Sequence, residues 1–191
     1  MSNRASWETL ISLILVAREN SGSSSQNRKL IAAIRKGISP YTESYAFPYV
    51  LPYCDDVVRD QTSVLRAAAL TAMFPEIPQT NKENPLKVGQ SFALASRKLS
   101  ELGGDYSAND PAKPDAIASR LRVIQFLDIE QAVLVIRGLL SLCKKTEIPL
   151  NYYALARILV HWATESLRNR KKCGRLWFVT ITVTFLRAGN Y

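Results

Sequence analysis

The feature that most limits how this chain can fold is the return of apolar residues at spacings of three and four. Trp7, Leu10, Ile11 and Ile14 follow i, i+3, i+4, i+7, which puts them on one side of a helix and predicts an amphipathic α-helix over residues 5–18. Leu30, Ile31 and Ile34 repeat the pattern in a second helix. Asn27 is placed to cap its start, because a side-chain oxygen there satisfies an N–H that the first turn leaves open. Gly37 is placed to end it in the left-handed conformation. The connector between the two helices, Ser21–Gly22–Ser23–Ser24–Ser25, has the composition of a flexible link.

The same period predicts helices over 55–74, with Val58, Leu65, Ala69 and Met73 on one side, and over 88–102, with Val88, Phe92, Ala95, Leu99 and Leu102. Gly103–Gly104 stops the second of these. Ile117, Leu121 and Ile124 mark a further helix. Residues 129–143, capped by Asp128 or a neighbour, are apolar almost all round and predict a central helix. Asn151 can cap residues 152–163, which are striped by Leu155, Ile158, Leu159 and Trp162.

Two stretches break the pattern. Residues 38–53 hold Pro40, Pro48 and Pro52 among Tyr41, Tyr45, Phe47, Tyr49 and Tyr53; proline removes backbone donors, so a loop or broken helix is expected there, packed by its aromatic rings. Pro75, Pro78 and Pro85 make the next connection irregular. Near the end, Val179, Ile181, Val183 and Phe185 alternate with Thr180, Thr182 and Thr184, a strand-like period of two, while Trp177, Ile181 and Phe185 fit a helix. A lone strand has no partner to pair with, so residues 177–186 are read as helical. The expected fold is all-α: two small helical bundles, residues 1–104 and 115–191, joined by a polar linker at 105–114 that contains Pro111 and Pro114.

Charge narrows the partners. Lys and Arg number 25 against 16 Asp and Glu, a net charge of +9, and an excess of that size attracts nucleic acid, an anionic membrane surface or an acidic protein. The cations are concentrated. Residues 151–191 hold Arg157, Arg168, Arg170, Lys171, Lys172, Arg175 and Arg187 against Glu165, and residues 1–37 hold Arg4, Arg18, Arg28, Lys29, Arg35 and Lys36 against Glu8 and Glu19. In the second predicted helix Arg28 and Arg35 are seven apart, as are Lys29 and Lys36, so each pair stacks on one side and off the apolar stripe. No acid interrupts Arg168–Arg175, unlike an ordinary solvated face that mixes both signs. Nucleic-acid binding is therefore expected, by phosphate neutralisation with counterion release. No helix-turn-helix, zinc-finger or RNA-recognition signature is present, so base readout is not expected. Tyr41, Tyr45 and Tyr49 could stack on bases, but core packing is the reading preferred for them.

Little supports catalysis. Cys54, Cys143 and Cys173 form no CxxC pair, and neither a disulfide framework nor a zinc site is expected. Asp55 and Asp56, even with Asp60, are too few for a metal and read as acids at a helix N-terminus. His161, the one histidine, lies beside Trp162 in an amphipathic helix and reads as structural; a Cys143–His161 dyad would need an orienting third group. No phosphate-cradling glycine motif occurs. No cofactor is expected. With no secretory signal visible and no apolar run of ~20 residues, the chain is expected to be cytoplasmic and to have no membrane partner.

Several short segments together resemble the CasB family, the small subunit of the type I-E CRISPR surveillance complex, Cascade. Gln26–Gly37 resembles that family's "R…LRRG" helix, and the Ala/Leu-rich helix of 63–76 stands where the family has its "ALxxxA" helix. Ser91-Phe-Ala-Leu-Ala is similar to "slGxALa", Arg120–Leu127 to "RrlfqLl", Gln131–Leu142 to the following "l…LRrLl", and Leu150–Trp162 to "ldwaxLaxdLxxW". Arg170–Phe178 lies at the family's basic stretch before a "W…F" helix. The order holds from about residue 5 to 187. The departures are Asn151 in place of the usual Asp, a threonine-rich final helix, and a 39–60 region longer and more aromatic than the family pattern.

The resemblance implies two helical bundles and no enzymatic activity. It implies two copies stacked head to tail, contacts to the backbone and large subunits of Cascade, and a basic groove for crRNA and for target and non-target DNA in the R-loop. By position, the family's basic contacts fall on Arg28, Arg35, Lys36, Arg97, Arg120, Arg122, Arg137, Arg157, Arg168 and Arg175, to which the local charge clusters add Lys29, Lys98, Arg170, Lys171 and Lys172. Arg137 and Arg157 lie in apolar helices and could instead be structural pair-formers. The competing readings are a helical module whose basic face meets an acidic protein, and a hydrolase or transferase built on His161 or a cysteine.

Overall fold

A computed structural model of the chain describes residues 6–54, 58–81, 83–103, 115–124 and 126–164. Among these residues eight α-helices follow one another: α1 (Trp7–Glu19), α2 (Ser25–Arg35), α3 (Phe47–Val50), α4 (Val58–Met73), α5 (Val88–Glu101), α6 (Ala116–Ile124), α7 (Ile129–Cys143) and α8 (Tyr152–Thr164). Short 3₁₀ turns at Lys36–Ile38, Glu43–Tyr45 and Leu51–Tyr53 carry the chain between α2 and α4. The fold is all-helical, as expected: the described residues contain no strand, only an isolated parallel bridge in which Thr80 donates to the Leu150 carbonyl at 3.2 Å and Leu150 donates to that of Pro78 at 2.9 Å. No described helix is long and apolar enough to cross a membrane. The linker 105–114 and the ambiguous segment 177–186 lie outside the described residues.

Local chemistry sets the helix starts. Asp128 caps α7, its carboxylate accepting from the Gln131 N–H at 2.8 Å. α2 differs from the expectation at both ends. Its cap is Ser24, whose hydroxyl accepts from the Asn27 N–H at 3.3 Å, so Asn27 is the receiver and not the cap. Gly37 is not left-handed. It continues into a 3₁₀ turn and is buried, and a Cβ on it would meet the Ala46 Cβ at 3.2 Å and the Leu65 carbonyl at 3.4 Å. Glycine is needed at 37 for close approach rather than for turning. Gly103, at φ +87°, is the residue that does turn left-handed after a helix.

Contacts divide the described residues into two compact units, one within 1–75 and 152–164, the other within 76–151. In the first unit α4 is the helix around which the others pack. Val64, Leu65, Ala67, Ala68, Ala69, Leu70 and Ala72 are all buried, so burial runs round the helix instead of along one stripe. Alanine lets backbones approach on every side, and α1, α2 and α8 all pack against α4. Leu10, Ile14, Ile31, Ile34 and Val160 complete that core. The central position expected for 129–143 thus belongs, in this unit, to α4. α7 in the second unit is amphipathic: Ala132, Val133, Ile136, Leu139, Leu140 and Cys143 are buried, while Leu134 and Arg137 face solvent. α5 and α6 pack on α7, and Phe92, Ala95, Ile117, Leu121 and Ile124 on them are buried. Leu102, expected on the α5 stripe, lies past the helix end and is exposed.

The C-terminal end of α4 shows how charge is spent inside the first unit. The last carbonyls of a helix have no partner within it and carry its negative dipole end. Arg18 donates to the Thr71 carbonyl at 3.0 Å, Arg35 Nε to that of Ala72 at 2.9 Å, and the Tyr152 hydroxyl to that of Phe74 at 3.0 Å. Arg18 also lies over the Tyr152 ring, 4.7 Å from its centre.

Candidate nucleic-acid interface

The basic residues proposed from the sequence separate into three groups. Five of them, Arg168, Arg170, Lys171, Lys172 and Arg175, lie outside the described residues. The remaining ten are all exposed, and each is described within its own unit.

In the first unit α2 turns Ile31 and Ile34 inward, which leaves Arg28, Lys29, Arg35 and Lys36 on its outer side. No acid occurs in residues 25–36 to cancel them. Two of the four also serve the fold. Arg28 donates to the Ser21 and Gly22 carbonyls at 3.3 and 3.2 Å, tying down the turn between α1 and α2, and Arg35 holds the end of α4. Lys36 sits over the Tyr45 ring, 3.7 Å from its centre. Lys29 has no ion pair with a described residue. Arg157 on α8 is a pair-former: its guanidinium stands 3.5 Å from Glu8 of α1, with both side chains more than half exposed. Such a pair adds little stability.

In the second unit Arg97 and Lys98 end α5, and Lys98 is engaged by Glu101 at 3.0 Å one turn on. Arg120 and Arg122 are two residues apart on α6, about 200° round the helix, so one helix face cannot present both. Arg137 is exposed on α7 and has no ion pair with a described residue.

Sequence reasoning missed the cations that build the fold. Arg66, in the alanine-rich stretch of α4, is 1% exposed; it donates to the Gly37 carbonyl at 2.5 Å and pairs with Glu43 at 2.8 Å. Its signal was present as one arginine inside Leu65-Arg66-Ala-Ala-Ala69, where a charge survives only if partnered. The tyrosines were assigned to the wrong side. Ala46 and Val50 are buried, and Phe47 and Tyr53 pack on the core, but Tyr41, Tyr45 and Tyr49 point out, exposed to 96%, 59% and 39%.

Burial pushes the Cys143 thiol up to about 12, which keeps it protonated and weakly nucleophilic at neutral pH. His161 is exposed. Among the described residues no cluster of three or more His, Cys, Asp or Glu side chains could hold a metal ion.

Residues 30–178 match the family model described as CRISPR-associated protein Cse2 (CRISPR_cse2), a span that includes α3 to α8 and most of α2. Neither the curated proteins nor the solved structures contain a match to this chain.

Proposed function

The chain belongs to the Cse2 family, the CasB small subunit of the type I-E CRISPR complex Cascade, and from that membership we propose that it is a non-catalytic subunit that grips nucleic-acid backbones within the complex. The observation that carries this reading is the outer side of α2: Arg28, Lys29, Arg35 and Lys36 exposed together, with no acid among residues 25–36. Phosphates attract such a side wherever the strand passes, and each neutralised phosphate releases condensed counterions. The displaced DNA strand and the backbone of the guide–target duplex are the polyanions that fit. The other Cascade subunits, including its backbone and large subunits, and a second copy of this chain complete the expected surroundings. The buried, protonated Cys143 and the exposed His161 support a binding role over a catalytic one.

The test uses the cations that have no described structural partner. Cascade assembled with the Lys29→Glu, Arg120→Glu, Arg137→Glu chain should form the guide–target duplex while leaving its displaced strand more open to a single-strand nuclease than the parent complex does. Identical protection in the two complexes rejects the reading. An acidic protein as the true partner would show itself by competing with binding that oligonucleotide leaves untouched.

A further inference from the structure

We propose that the Pro/Tyr segment between α2 and α4 is a base-stacking platform for single-stranded nucleic acid, formed by Tyr41 and Tyr45 with Lys36 beside them and Tyr49 at its edge. This rests on the nucleic-acid reading above and adds to it a contact with the bases, which backbone attraction alone lacks.

The segment sorts its side chains. Four residues, Ala46, Phe47, Val50 and Tyr53, turn inward, and three tyrosines turn outward. The turns that carry the outward rings are held in place. Arg66, itself buried, fixes both the Gly37 carbonyl and the Glu43 carboxylate, so the two ends of the 37–43 loop hang from one side chain. Thr42 closes the loop by donating to the Lys36 carbonyl at 2.6 Å, and the Tyr41 N–H reaches the Ser39 hydroxyl at 3.4 Å. Backbone bonds from Tyr45 to Thr42, Ala46 to Glu43 and Tyr49 to Ala46 then link the turns that carry the rings. Tyr41 is thus a nearly fully exposed ring on a pinned loop, so the backbone beneath it needs no further ordering when a ligand stacks on the ring.

The chemistry selects the occupant. Residues 25–54 carry Arg28, Lys29, Arg35 and Lys36 against one acid, Glu43, which Arg66 already pairs. The Lys36 ammonium stands 3.7 Å from the centre of the Tyr45 ring, so a cation accompanies a ring that is 59% exposed, and a base stacked nearby would bring its phosphate within that charge's reach. Every base has a π-face, so stacking of this kind tolerates any sequence, but it needs bases that are not paired. A duplex hides those faces. A single strand offers faces and phosphates together, which is the pair of features that this surface complements.

The full-length chain can be titrated with two single strands of equal length, one normal and one abasic, which share their phosphates and differ only in bases. The parent chain should bind the normal strand more tightly, by about tenfold for each stacked base. Tyr41→Ala with Tyr45→Ala should remove that preference while leaving affinity for the abasic strand, and its salt dependence, unchanged. Tyr41→Trp, a surface change, should keep or increase the preference. Equal affinity of the parent chain for both strands overturns the platform and leaves the backbone-gripping reading standing. Loss of Cascade assembly by the double alanine variant, with strand preference intact, overturns it in favour of a protein partner. Binding of neither strand overturns both readings.

Discussion

Arg66 is the residue on which the first unit's surface depends. It holds a carbonyl and a carboxylate from inside α4, and breaking a buried pair leaves the abandoned partner without solvation. Arg66→Met should lower the unfolding free energy by about 3 kcal/mol in a urea titration, whereas Lys29→Met on the exposed side of α2 should leave it nearly unchanged. Cys143 gives a second test. Its thiol is raised from 9.0 to about 12 by burial, so between those values the unfolded chain gives up a proton that the folded chain keeps. Folding stability therefore falls as pH rises through that window. The gap in melting temperature between the parent and Cys143→Ala should narrow from pH 8 to pH 11, and thiol reagents at neutral pH should modify Cys143 only once the chain unfolds. Little of this was legible in advance. An arginine among alanines signals burial only when the helix is known to be covered on every side. The three outward tyrosines stand four apart, a helical spacing, but short turns break the segment that carries them, so the spacing did not say which way they face.

Helices were far more legible, because their signals are local. The bounds of α7 coincide with the expected 129–143, since Asp128 supplies a cap and the apolar spacing runs unbroken to Cys143. Ile117, Leu121 and Ile124 all bury as their spacing requires. Where two candidate caps stood close together, spacing could not choose between them: Ser24 and Asn27 are three apart, and the hydrogen bond runs from Asn27 to Ser24. Ser24→Ala should accordingly cost about 1 kcal/mol of stability, and Asn27→Ala under about 0.5; the reverse ranking in thermal melts would put the start of α2 elsewhere. The centrality of α4 was hidden for a different reason. Its burial depends on α8, which arrives about ninety residues later in the chain, and no window of sequence contains both.

At the scale of the whole molecule, net charge and family agree in direction. A chain of +9 whose ten described candidate cations all face solvent is suited to a polyanion, and membership of the Cse2 family places it in a complex with other Cascade subunits. The family was legible because a series of short motifs kept their order. The strand that each cation meets was not, since phosphate contacts leave no pattern in sequence beyond the charges themselves. The central claim is that backbone charge drives the binding, and the most direct measurement is the affinity of the full chain for a random-sequence single strand between 50 and 200 mM salt. Log affinity should fall linearly with log salt, by about 0.7 per phosphate neutralised, and the Lys29→Glu, Arg120→Glu, Arg137→Glu variant should show a slope shallower by about 2. An affinity that does not change with salt, or a slope that the three reversals leave untouched, would contradict the account.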